Sequence, residues 1–129
     1  MSKSQVLTGT WAEGTNKIYC KIPLIIFEED NSFIAFCPAL DLSGSGNTEE
    51  EAKNSFEIVL SEYFKYTQHK KTLAKDLKGH GWILRKDMNK GATPPSMGQL
   101  LESNEDFKRI FNTHEFKKTD TTIEIPCLV

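Results

Sequence analysis

The segment that begins at Thr48 constrains the fold more than any other part of the chain. Thr48 and Glu51 have the spacing of a capping box, and Glu49, Glu50 and Glu51 place negative charge at the positive end of a helix. Downstream, Ala52, Phe56, Val59, Leu60, Tyr63, Phe64 and Thr67 recur at i, i+3 and i+4, leaving Lys53, Asn54, Glu57, Ser61 and Lys65 outward. The pattern predicts a helix from about Glu49 to Lys70. At about 1.5 Å per residue it runs roughly 30 Å, enough to cross a small sheet.

The sheet is written upstream. Ile18, Cys20, Ile22, Leu24 and Ile26 alternate with the period of a strand that buries one face. Pro23 lies within this run and cannot donate to a ladder, so the strand needs an edge, a bulge or a late start there. Glu29-Asp30-Asn31-Ser32 is a turn cluster, and Phe33 to Cys37 is apolar throughout, which predicts a hairpin whose second strand is covered on both faces. Pro38 stops that strand, and Asp41 to Ser45 reads as a third short one before Gly46-Asn47. Met1 to Asn16, mostly polar with Trp11 as its only large side chain, reads as a loose lead-in.

Beyond the helix the signals are shorter. Trp82-Ile83-Leu84 is an isolated apolar piece among basic and glycine-rich stretches, and Pro94-Pro95 breaks whatever precedes it. Ser96 and Gln99 are spaced to cap a short helix, Glu105 to Asn112 suits another, and Ile123, Ile125, Cys127 and Val129 alternate as a closing strand. The fold class expected is α+β: a small, mainly antiparallel sheet with one long helix packed across it, short C-terminal helices and a closing strand. A chain of 129 residues suits one domain.

Composition narrows the function classes. With 38% hydrophobic and 26% charged residues the chain is of the globular kind, and 16 basic against 18 acidic residues provide no bulk positive field for phosphate backbones. The slight acidity suits a basic partner. Cys20, Cys37 and Cys127 are odd in number, widely spaced and set in apolar runs, as reduced core cysteines would be. No segment approaches the roughly eighteen apolar residues of a membrane span, and Met1 to Thr10 lacks a signal-peptide core. A cytoplasmic location is expected.

Five places could carry chemistry. His69, His80 and His114 show no metal-ligand spacing with the cysteines or with one another, and no cofactor is expected. A Cys-His nucleophilic pair would have to form in space, and nothing in the spacing supports one. Glu28, Glu29 and Asp30 could hold a cation or act as acid and base, or could be a solvated turn. Gly44 to Thr48 lies between a strand and a helix N-terminus, where backbone N–H groups can cradle phosphate, but Glu49, Glu50 and Glu51 would repel an anion. Lys70, Lys71, Lys75, Lys78, Arg85, Lys86 and Lys90, with Trp82 among them, form the one candidate nucleic-acid patch and otherwise read as a solvated face.

Phe33-Ile34-Ala35-Phe36-Cys37-Pro38-Ala39-Leu40-Asp41-Leu42-Ser43-Gly44-Ser45-Gly46-Asn47-Thr48-Glu49-Glu50-Glu51-Ala52 resembles the HicB-type antitoxins. Their signature is an aromatic strand, a proline, an aspartate or glycine turn, and Gly-x-Thr-x-x-Glu-Ala opening a helix, which Gly46 to Ala52 matches fully. The likeness covers residues 18–70. It implies a partial RNase H-like fold without catalytic carboxylates, no enzymatic activity, and a small basic RNA-cleaving toxin of the HicA type as partner. Many such antitoxins add a C-terminal DNA-binding domain. Residues 71–129 depart from that pattern, with no helix-turn-helix or ribbon-helix-helix. Alternative functions are a DNA-binding regulator using residues 70–90 and a small ligand-binding protein using residues 44–48. Because one helix covers only one face of the sheet, at least a dimer is expected unless Trp82, Phe107, Phe111 and Ile123 close the other face.

Overall fold

The computed structural model describes residues 9–12, 15–84 and 91–126, with side chains from Tyr19 onward. The chain is α+β. An antiparallel sheet is built from β1 (Gly9–Ala12), β2 (Thr15–Glu29), β3 (Ser32–Cys37), β4 (Leu42–Gly46) and β7 (Phe116–Ile125). Between β4 and β7 come α1 (Glu49–Lys70), α2 (Leu73–Gly79), a small ribbon of β5 (Ile83–Leu84) and β6 (Ala92–Thr93), α3 (Met97–Ser103) and α4 (Glu105–Thr113).

The long strand β2 is the spine. Along one edge it pairs with β7 from Ile18 to Phe27. Its other edge pairs with β1 at residues 15–18 and with β3 from Ile25 to Glu29. Pro23 falls in the stretch between these two partners, where among the described residues β2 has a strand on one side only, so of the three accommodations open to this proline the chain uses an edge. The β2–β3 hairpin turns on Asp30 and Asn31, both with positive φ (55° and 66°), the backbone that a two-residue turn needs to match strand twist.

Two sets of side chains alternate along these strands. Register places Cys20, Ile22, Leu24, Ile26, Ala35, Cys37 and Ile123 on the face carrying α1, and Ile25, Phe27, Ile34 and Phe36 on the face carrying α4. On the first face, Ala52, Phe56, Phe64 and Thr67 of α1 are buried, while Val59, Leu60 and Tyr63 are half-buried. The helix lies very close to β4. A Cβ at Gly44 would fall 2.2 Å from the backbone nitrogen of Phe56, and one at Gly46 would fall 2.4 Å from Cβ of Glu51.

The second face is closed by the chain itself. Phe107 (0% exposed) and Ile110 (2%) of α4 are buried in the apolar core, with Ile110 beside Phe27, Ile34 and Phe36; of the other residues expected there, Phe111 is 44% exposed and Ile123 lies on the α1 face. The apolar sheet face that motivated the expected dimer is therefore covered by the C-terminal half, and self-association has to rest on a different surface. Among the described residues, no helix is long and apolar enough to cross a membrane.

Several expectations are corrected. The lead-in is not loose as far as it is described, since residues 9–12 and 15–18 form the β1–β2 hairpin. Asp41 belongs to a turn with φ 57° rather than to β4. The closing strand begins at Phe116, seven positions before Ile123 because β2 supplies a ladder that long; Cys127 and Val129 lie outside the described residues. Lys53 is half-buried rather than fully outward. Trp82 is 3% exposed, so it is core and no part of a solvated basic face.

Candidate functional site

The turn from Gly44 to Thr48 is filled by the protein. Two of its amides and one beside it are bonded to neighbouring side chains: Ser45 N–H donates to Ser55 Oγ at 3.2 Å, Asn47 N–H to Glu51 Oε1 at 2.8 Å, and Glu51 N–H to Thr48 Oγ1 at 3.0 Å. With Gly44 and Gly46 pressed against α1, this is a strand-to-helix weld. Three of the donors near a phosphate position already have side-chain partners, and the glutamates that open α1 add negative charge there.

The hairpin carboxylates divide. Glu28 and Asp30 are exposed, whereas Glu29 lies 3.4 Å from His114 Nε2 and 3.7 Å from Arg109 Nη1, tying the hairpin tip to α4. His114 also stacks edge-on to Phe27, with ring centres 5.2 Å apart. His80 sits apart, its Nδ1 at 2.9 Å from the Asp76 carbonyl, while the Tyr63 hydroxyl donates to the Asp76 carboxylate and joins α1 to α2. His69 is exposed. Among the described residues, no three His, Cys, Asp or Glu side chains are grouped to hold a metal ion.

Cys20 and Cys37 are buried free thiols. Burial pushes the Cys20 thiol up to about 11 and the Cys37 thiol to about 12, so both are protonated and poor nucleophiles near neutrality. Cys20 donates weakly to the Ala92 carbonyl at 3.4 Å, which anchors the β5–β6 ribbon beside the start of β2.

Within the segment 70–90, Lys70, Lys71, Lys75 and Lys78 are exposed on the end of α1 and on α2. Arg85, Lys86 and Lys90 lie outside the described residues. The aromatic that would stack on a base is absent from this surface, because Trp82 is in the core with its indole N–H bonded to Ala39.

A surface that residue patterns did not single out lies between α1 and β7. There a groove of about 560 Å³ runs over Phe56, Leu60, Phe64 and Ile123, bordered by polar side chains including Glu57, Lys65 and Gln68. At the N-terminal end of α1, where Glu50 is exposed, Glu28 and Glu115 stand close to the Lys117–Glu49 ion pair (2.7 Å) that bridges β7 and the helix. The apolar groove and this separate acidic cluster nearer the start of α1 each suit a protein segment, the one carrying apolar and the other basic residues. Leu60, Phe64 and Ile123 were readable as apolar positions. That they line a groove depends on where α1 crosses the sheet, and no local pattern encodes that.

Neither the protein-family models, nor the curated proteins, nor the solved structures contain a match to this chain.

Proposed function

We propose that this chain is a HicB-like antitoxin or an orphan relative, with a sheet and helix of the partial RNase H-like type, that acts in the cytoplasm by binding and blocking a small basic RNA-cleaving protein. It is a binding module and not an enzyme. The observation that carries this reading is the run from Phe33 to Ala52, whose resemblance to the antitoxin signature spans β3, β4 and the capped start of α1. The apolar groove beside α1 and the carboxylates of Glu28, Glu49, Glu50 and Glu115 give that role a surface of suitable chemistry.

The alternatives lose support from particular contacts. Ligand binding at residues 44–48 meets amides already bonded and glycines already packed. Nucleic-acid binding through residues 70–90 lacks the use of Trp82.

The test is co-expression with the product of any short adjacent reading frame that encodes a basic protein, followed by co-purification and an RNA-cleavage assay. A complex in which cleavage is suppressed, and which Glu50→Lys with Glu115→Lys weakens without changing thermal melting, is the expected result. If the neighbouring product neither binds nor cleaves RNA, and the chain instead binds its own upstream DNA with a steep salt dependence, the regulator reading replaces this one.

A further inference from the structure

The two outer edges of the sheet differ sharply. β4 is a short edge, Leu42–Gly46, with two glycines held under α1. β7 is a ten-residue edge with β-branched Thr119, Thr121, Thr122, Ile123 and Ile125, no internal glycine or proline, and no described strand on its outer side. A long regular edge of this kind presents a row of backbone donors and acceptors to another strand.

We propose that a second copy of this chain pairs with that edge, β7 against β7 and antiparallel, about a two-fold axis through Thr121. The argument is charge self-complementarity. An axis perpendicular to the sheet keeps each side chain on its own face, so residues of equal parity meet. With Thr121 opposite itself, the overlap runs from Lys117 to Ile125, Lys118 faces Glu124 of a second copy twice over, and Thr119 faces Ile123. Shifting the axis to Asp120 sets Asp120 against its own copy. Shifting it to Thr122 sets Asp120 against Glu124. Like charges directly opposite one another disfavour both neighbours. An axis at Thr119 also pairs opposite charges, Lys118 with Asp120, but over a shorter overlap. Lys118 presently lies 3.1 Å from Asp120 on the same strand, and both side chains are more than 40% exposed, so the lysine has room to turn toward a second copy.

This pairing would join the two sheets, put both α1 helices on one face and set the two α1–β7 grooves side by side across the seam. It does not depend on the identity of any toxin-like partner.

Light scattering on the full chain at micromolar concentration, with charge reversals, is the test. The unaltered chain is expected to be a dimer. Lys118→Glu alone and Glu124→Lys alone each place like charges opposite one another and weaken association by roughly tenfold, and the double exchange restores it. Thr121→Cys, with its counterpart across the axis at disulfide distance, is expected to give a covalent dimer on oxidation, more readily than Thr119→Cys. A monomer at all concentrations overturns the proposal. So does a dimer indifferent to both single reversals, which would place the interface elsewhere.

Discussion

The indole N–H of Trp82 donates to the carbonyl oxygen of Ala39 at 2.8 Å, joining the segment after α2 to the turn after β3 across 43 positions of sequence. Both residues are buried, so neither group has water as a substitute partner. Trp82→Phe removes the donor, leaves that carbonyl without it and opens space. The expected cost is about 1 to 3 kcal/mol, read as a lowered urea midpoint with unchanged m-value.

Gly44→Ala tests the strand-to-helix weld. The added methyl would meet the backbone of Ser55 and Phe56 at 2.6 Å or less, and backbone cannot turn aside as a flexible side chain can. Either α1 lifts from β4 or the strand bends. A loss of about 3 kcal/mol is expected. A thermal melt identical to that of the parent would show that α1 rides higher on the sheet.

Phe56 and Leu60 separate core from groove. Phe56 is 2% exposed, and Phe56→Ala should cost roughly 3 to 5 kcal/mol through the cavity it leaves. Leu60 is only half-buried on the groove wall, so Leu60→Ala should cost roughly 1 to 2 kcal/mol. Equal losses in chemical denaturation would mean that the groove is closed in solution.

Thr48→Ala removes the cap that receives the Glu51 N–H, and should cost about 1 kcal/mol. Partner binding should survive, because the turn is structural. A stable Thr48→Ala protein that has lost binding, measured by calorimetry, would make the turn a functional site.

The buried thiols give a pH dependence of definite sign. An unfolded thiol titrates near 9.0, whereas the folded chain holds Cys20 to about 11 and Cys37 to about 12. Below pH 9 both states are protonated and the thiols leave stability unchanged. As pH rises above 9 the unfolded chain releases protons that the folded chain retains, so stability falls through that window. Tyr63 is shifted upward by its burial, then by its bond to Asp76, and acts in the same direction from about pH 10. Urea midpoints at pH 8 and pH 10.5 should show the drop. In a Cys127→Ser background, alkylation at pH 8 should require denaturant.

What residue order determined by itself is local and periodic. Thr48, the three glutamates after it and the apolar spacing to Thr67 specify α1 from Glu49 to Lys70, because capping and one-sided burial act within a few turns of chain. The Ser96 and Gln99 capping box and the Asp30-Asn31 turn are legible for the same reason. Tertiary structure decided the rest. Gly9 to Ala12 and Phe116 to Thr122 carry weak strand signals and become strands because β2 offers each of them a ladder. Basic neighbours gave no sign that Trp82 is core, since its burial depends on a carbonyl 43 positions away. The α1–β7 groove and the open β7 edge arise only when residues 89 to 107 positions apart in sequence pair, and pairing at that range is set by the packing of the whole core rather than by any segment's own preference.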